Sequence, residues 1–315
     1  MTEKMAPGRE AVVTMPITDA DIKLLAVFIT VVRCGGFSLA QNALNVSQST
    51  ISIQISNLES RIGAKLCKRG RSGFTLTPEG AEVFEAAKAL FAQLEDYRAR
   101  IGGIKGKLIG DINIGIIDNL IVSPDFRLHE AIRAFKSVAH DVHVNLSVAP
   151  PNELERQVLE GQAHLAIGFF PRRVSQLQYE PLFTMGMELY CGRRHPLFAL
   201  GEDEVTPEDV MAAEHVQRGY VSIDQMNHMH RRFKFTARAH NIEGIAYFIL
   251  SGHYLGFLST VYARRWVETG EMRSVRPDVF GYTSNYDVVY RRNVPETLAF
   301  RHALRCVREH MGGGA

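Results

Sequence analysis

The chain has 315 residues but only four cysteines, Cys34, Cys67, Cys191 and Cys306, which are widely separated and form no CxxC. That spacing excludes a disulfide framework and a thiolate metal cage, and it suits a reducing compartment. A redox-sensing thiol is one reading of such a cysteine, and a small core residue is the plainer one. Long apolar runs are also missing. Residues 1–15 contain Lys4 and Arg9 without a stretch of signal-peptide length, and nothing downstream approaches a bilayer span, so a cytoplasmic location is expected. There is no phosphate-cradling glycine loop with its lysine, no nucleophile elbow and no recognisable carboxylate pair, which argues against an enzyme and a cofactor. His228-Met229-His230, with His215 and His240 on either side, lacks Cys or carboxylate partners at ligand spacing, so no metal is expected.

What the chain does contain is concentrated between Phe37 and Thr77, which reads as two short helices, a tight turn and a basic hairpin. The Ser38 hydroxyl is placed to cap a helix carrying Ala40, Ala43 and Leu44. Asn45-Val46 breaks that helix, and Ser47 caps the next. Two caps so close imply a helix-turn-helix. In the second helix Ile51, Ile55, Leu58 and Ile62 recur at spacings of four, three and four and are expected to form one buried stripe. Ser49, Thr50, Ser52, Ile53, Ser56 and Asn57 fall on the flanks and the opposite face. Small hydroxyls and amides suit base edges in a major groove, and an apolar group such as Ile53 suits a thymine methyl. The amides at the start of that helix would also favour a phosphate.

Downstream, Arg61, Lys65, Lys68, Arg69 and Arg71 occur with no acid before Glu79, and Arg69-Gly70-Arg71-Ser72-Gly73 reads as a turn between short extended runs. A phosphate-gripping wing is expected, although a charge run can also be a solvated face. Residues 1–75 hold nine Lys or Arg against five Asp or Glu, a balance of +4, whereas the whole chain is only +2, leaving about −2 for the remainder.

The order Leu25, Phe28, Gly36-Phe37-Ser38, Ala40, Leu44, Val46-Ser47-Gln48-Ser49, Ser52, Gln54-Ile55, Leu58-Glu59, Gly63, Leu66, Arg69 and Leu76-Thr77-Pro78-Glu79-Gly80 resembles the LysR-type transcriptional regulators. Cys67 stands where that family usually has Phe, and Gln41 replaces a common Ala. Ile53, Ser56 and Asn57 occupy positions often held by Arg or Lys, so the reading edge is less basic than usual. The resemblance implies a winged helix-turn-helix over 16–77, after a disordered tail at 1–15. Its expected DNA-facing residues are Ser38, Ser47, Gln48, Ser49, Thr50, Ser52, Ile53, Gln54, Arg69, Arg71 and Thr77.

From Pro78 onward Val83, Ala87, Leu90, Leu94, Tyr97 and Ile101 repeat at four, three, four, three and four, an a/d seam rather than a broad amphipathic face. A helix of about 24 residues at ~1.5 Å rise spans roughly 36 Å, and pairing with a second copy would present two heads to one DNA site. Packing against the chain's own second domain is the alternative. In the resembled family this segment, here 78–105, is a dimerising linker helix and hinge. Gly102-Gly103 and Gly106 interrupt it near residue 105.

The remainder alternates strand and helix: strand 111–117, helix 125–138, strand 142–148, helix 152–160 and strand 164–168, an α/β layout. Open parallel sheets bind ligands beyond their strands' carboxyl ends, so Asp118, Asn119, Phe169 and Phe170 are expected at one pocket. The resemblance extends loosely here through Ile112-Asn113-Ile114-Gly115, Leu159 to Gly168 (with His164 at a usual Asp position), Leu182-Phe183 to Tyr190, and Ile245 to Leu258. It implies a two-lobed, periplasmic-binding-protein-like effector domain over 106–315, with lobe I at about 106–183 and 281–315 and lobe II at about 184–280. Arg218, Gly219, Tyr220 and His253 join the expected effector site. Arg218 could either hold a ligand or neutralise Asp118, and an acid at Asp118 would repel a carboxylate. The partners implied are double-stranded DNA, a second copy in a homodimer or homotetramer, a small-molecule effector and RNA polymerase. A cytoplasmic solute carrier and a constitutive repressor without effector are the alternatives.

Overall fold

The computed structural model describes residues 17–70, 73–104, 108–220, 230–292 and 297–311. The tails expected at 1–15 and 312–315, together with Arg71, His228 and Met229, lie outside the described residues, as does the side chain of Arg69. The described chain divides into two compact units, Met1–Phe91 and Ala92–Ala315.

The first unit contains α1 (Asp19–Arg33), α2 (Phe37–Leu44), α3 (Gln48–Ile62), the hairpin strands β1 (Cys67–Gly70) and β2 (Gly73–Leu76), and the start of α4 (Pro78–Ile104). Phe28, Val31, Phe37, Ala40, Ile51, Ile55, Leu58 and Leu66 form its core, with Val83 and Phe84 of α4 packed against them. Residues three and four apart supply the buried faces, as a helical period requires. Two expectations are corrected here. Gly36, at φ +147°, is the residue before α2, so Ser38 is the exposed second residue of the helix and not the cap. Ile62 is 42 % exposed, because the helix ends there and Gly63 turns the chain away at φ +80°. The stripe on α3 therefore stops at Leu58.

The second unit contains β3 (Gly110–Ile116), α5 (Leu128–Lys136), β4 (Val142–Val148), α6 (Pro151–Leu159), β5 (Leu165–Gly168), β6 (Leu177–Gly192), α7 (Pro207–Ala212), β7 (Glu214–Arg218), β8 (Lys234–Ala239), α8 (Ile242–Leu250), β9 (Tyr254–Ser259), α9 (Thr260–Glu268), β10 (Met272–Ser274), α10 (Pro277–Phe280), β11 (Tyr282–Arg291) and α11 (Leu298–Met311). Strands β4, β3 and β5 are parallel, and β11 pairs β5 antiparallel. The near-continuous apolar run of β5 is buried throughout, as a central parallel strand should be. Beyond β6, β7 lies parallel to both β8 and β9.

Two long strands tie these halves together. β6 and β11 run antiparallel from Leu177/Arg291 to Met187/Tyr282, with a bulge between Tyr286 and Asp287 opposite Pro181. A proline has no N–H for the ladder, and an irregularity there is how a sheet accommodates it. One buried cluster includes Ile112, Leu154, Leu165, Phe183, Val288 and Leu304; another includes Val216, Ile245, Ile249, Leu258 and Trp266. No described helix is long and apolar enough to cross a membrane.

Candidate functional site

In the head, the chemistry gathers at the start of α3. Ser47 accepts the Thr50 amide at 3.2 Å, and its Oγ lies 2.8 Å from Ser49 Oγ and 2.9 Å from Thr50 Oγ1. Those three hydroxyls and Gln48 are exposed, and Ile53 is 61 % exposed one turn further on. The expected reading edge is thus presented outward by a capped, anchored helix. Ser52 and Gln54 are half-buried on its flanks. Gln41 has a positioning role that sequence reasoning missed: its Oε1 accepts the Gln48 amide at 3.2 Å, joining α2 to α3.

The cation run is less uniform than expected. Arg61 pairs with Asp21 of α1, including a 2.9 Å contact from Nη2, and holds that carboxyl well below the usual carboxylate range. Lys65 Nζ lies 2.7 Å from Glu59. Burial would push the Glu59 carboxyl up, yet Lys65 and the Leu66 amide, donating at 3.0 Å, hold it below its ordinary value. Two of the five expected phosphate-gripping cations therefore serve the head's own packing, and Lys68 on β1 is exposed.

Thr77 is likewise corrected. It is buried, its hydroxyl donates to the Lys65 carbonyl at 2.6 Å and it accepts the Gly80 amide at 2.9 Å. That makes it the cap of α4 and not an available DNA contact, with Pro78 in the first-turn position that proline favours. Gly80 is fixed by a close approach, since a Cβ there would stand 1.8 Å from the Leu66 carbonyl oxygen.

Along α4 the expected seam divides. Val83 packs into the head core and Ala87 is buried, whereas Leu94, Tyr97 and Ile101 are 38 %, 63 % and 43 % exposed. Leu90 is half-buried.

In the second unit a cavity of about 480 Å³ is lined by residues of both lobes and of the β6–β11 pair. Phe169 and Phe170 line it from the end of β5, as expected, and Arg218 lines it from the end of β7. Met187, Val216, Ile245 and Phe257 supply apolar wall, and Gln217, Thr283, Ser284 and Asn285 supply polar wall. The Arg218 guanidinium donates to Tyr220 Oη at 2.9 Å. Burial opposes its charge, but the phenol oxygens of Tyr220, Tyr286 and Tyr282 favour it and keep it firmly protonated.

Asp118 does not meet Arg218. Its Oδ2 accepts the Ile242 amide at 2.5 Å, so a carboxylate from the end of β3 sits on the N-terminus of α8, where the helix dipole favours an anion. Asn119 takes a left-handed turn at φ +63° beside it, and neither residue is on the cavity wall. Gly219 donates to the Ala239 carbonyl at 2.7 Å, extending the β7–β8 pairing, and it too is off the wall. His253 is exposed and borders a separate open hollow with His195 and Glu214, so it is removed from the cleft site.

Sequence reasoning missed most of the wall, above all Arg173 and the β11 segment Tyr282 to Asp287. Asp287 is only 2 % exposed and pairs with Arg173 at 3.0 Å, and burial pushes its carboxyl up. Arg173 also lies over the Tyr179 ring at 4.6 Å. The available signal was a polar run, Thr283-Ser284-Asn285, inside an otherwise β-forming stretch. No group of His, Cys, Asp and Glu suited to a metal ion occurs among the described residues.

Comparison with known proteins agrees with this division. Residues 22–81 match the bacterial regulatory helix-turn-helix protein, lysR family, and residues 105–312 match the LysR substrate binding domain. The HTH-type transcriptional activator BauR of Pseudomonas aeruginosa is 37 % identical over 291 residues, covering 92 % of this chain and 95 % of that protein. Among solved structures, full-length CbnR in complex with its target DNA has a TM-score of 0.63 at 18 % identity, covering 92 % of this chain and 99 % of CbnR. A full-length OxyR variant from Pseudomonas aeruginosa has a TM-score of 0.58 at 17 % identity, covering 93 % of this chain and 95 % of that one. These two likenesses bear on the fold. With both of its parts matched by family and a relative aligned over nearly its whole length, the chain belongs to the LysR-type transcriptional regulators, DNA-binding regulators with an effector-binding domain and not enzymes.

Proposed function

We propose that this regulator works as a cytoplasmic homo-oligomer whose promoter binding or activation is controlled by a small molecule held in the cleft between the two lobes. The observation that carries this reading is the 480 Å³ cavity, its wall divided between aromatic or apolar and polar or charged side chains, on a chain that also presents Ser47 to Ile53 outward. Effector binding would shift the population between two placements of paired heads on DNA. Dimerisation through α4 is supported by the exposure of Leu94, Tyr97 and Ile101. Further assembly to a tetramer is supported by β4, an edge strand carrying exposed Leu146 and Val148. Contact with RNA polymerase is the corresponding route to activation.

Base choice is assigned to Gln48, Ser49, Thr50 and Ile53, with Ser38, Ser52 and Gln54 beside them. Phosphate grip is assigned to the amides at the start of α3 and to Lys68, Arg69 and Arg71 of the wing. A duplex from the gene's own upstream region tests this by titration at several salt concentrations. Affinity should fall steeply with salt, and Ser49→Ala or Ile53→Ala should change sequence preference by about 1–3 kcal/mol per lost base contact. Affinity independent of salt, or variants that weaken all duplexes equally, would contradict the assignment.

A further inference from the structure

Lobe II carries a second concavity, a hollow of about 540 Å³ formed by the stretch after β6, the C-terminal end of α7 and the turn between α8 and β9. It shares no lining residue with the cleft. Its most buried polar side chain is His195, which is 7 % exposed. The ring Nδ1 accepts the Leu197 amide at 3.2 Å, so the proton of the neutral imidazole sits on Nε2, and burial together with His253 pushes the ring below the ordinary histidine pKa. That Nε2–H has no hydrogen-bond partner among the described residues. A donor so buried, on the wall of an open hollow, calls for an acceptor from a ligand.

Asp209 and Glu214 stand on the same wall, and among the described residues no lysine or arginine does. Lys234 reaches Glu214 from β8 at 3.0 Å and Thr206 holds one oxygen of Asp209, so both carboxylates keep free lone pairs. Two acids against that one cation leave the hollow at −1. We propose that it binds a small primary amine carrying a hydroxyl or carbonyl oxygen: Glu214 and Asp209 take the ammonium, and His195 Nε2–H donates to the oxygen. Leu197 and Ala212 supply apolar contact for the chain between them. A carboxylate ligand finds no cation on the wall to hold it. A metal ion at Nε2 would need that nitrogen's lone pair, which would move the proton to Nδ1 and set it against the Leu197 N–H. The hollow lies wholly within lobe II, so it does not depend on what the cleft binds.

The test titrates the full-length protein, by thermal shift and calorimetry, with short amino alcohols and amino amides from ethanolamine and glycinamide upward. Each is paired with its N-acetyl derivative, its oxygen-free amine and its amino acid, and zinc is run beside them. At least one oxygen-bearing amine should raise the melting temperature while its three counterparts do not. Glu214→Gln, which removes charge, and His195→Asn, which keeps a cap acceptor for the Leu197 amide but lacks Nε2, should each weaken it by about tenfold. Ala212→Trp, filling the hollow from an exposed position, should abolish binding, and Thr283→Trp in the cleft should leave it unchanged. The comparison among ligands needs no variant and stands even if His195→Asn fails to fold. Acetylated or oxygen-free analogues that bind as well as the parent amine overturn the assigned contacts. Stabilisation by zinc that His195→Asn abolishes overturns the tautomer on which the oxygen contact rests. An amine lost in Thr283→Trp and kept in Ala212→Trp belongs to the cleft, which overturns the hollow and leaves the cleft reading standing. If no amine of the panel stabilises the protein, the hollow is not an amine site.

Discussion

The reading edge and the cleft solve opposite problems with the same chemistry. On α3, Ser47, Gln48, Ser49, Thr50 and Ile53 are consecutive or one turn apart, and a single helix fixes them all. In the cleft, Phe169, Arg218, Phe257 and Ser284 come from separate stretches and meet only because β6 and β11 bring the two lobes together. Cations differ in the same way. Arg61 and Lys65 are absorbed by Asp21 and Glu59 inside the head, whereas Arg218 has no such acid among the described residues. A site read from outside can be built locally; a site that must enclose its ligand has to be assembled from distance.

The largest test of that contrast is aimed at the paired heads. Leu94→Glu combined with Ile101→Glu puts charge on the exposed part of the α4 seam. It should convert the proposed α4-paired dimer to monomer in sedimentation and lower promoter affinity by about 100-fold or more, as bivalent engagement is lost. A variant that stays dimeric with normal affinity would remove α4 as the interface.

Glu59→Gln is expected to be smaller and confined to the head, destabilising it by about 1–3 kcal/mol near pH 7, because a buried, hydrogen-bonded carboxylate is lost. The folded-state value of Glu59 is lowered, so its contribution is present above the ordinary 4.5 and is lost as pH falls through the folded value. Hydrogen exchange of head amides should therefore separate wild type from variant at neutral pH and converge in acid. A gap of constant size across pH would contradict the assignment.

Asp118→Ala should have the smallest effect, about 0.5–2 kcal/mol, as for other helix-terminal acceptors. Faster exchange at the first amides of α8, with the head unchanged, is the expected signature. Unaltered exchange would mean that this contact does not hold the lobes.

How far these features could be read in advance follows from how local they are. The helix pair, the cap at Ser47 and the strand–helix alternation from residue 110 to 168 all depend on periodicity and caps within a few residues, and such signals survive in sequence. No local pattern marks Thr77 as buried, because its burial depends on the Lys65 carbonyl, twelve residues upstream in the connection between α3 and β1. The sequence offers Arg218 as a neutralising partner for Asp118, yet the group that engages Asp118 is an amide 124 residues downstream. Asp287 carries no periodic signal, because β11 lies between β5 and β6 there and is buried continuously from Tyr286 to Val289.

Glu59 joins the last turn of α3 to the start of the wing, and Thr77 and Gly80 fasten the end of the wing to α4. The reading helix and the base of the wing are therefore tied to each other and to α4. A protein scanning long stretches of duplex meets wrong sequences far more often than right ones, and a head whose reading helix is already joined to the wing base loses less ordering entropy at each trial. The choice between staying and moving on then falls to a few hydroxyls and Ile53, which favours quick rejection of the wrong site.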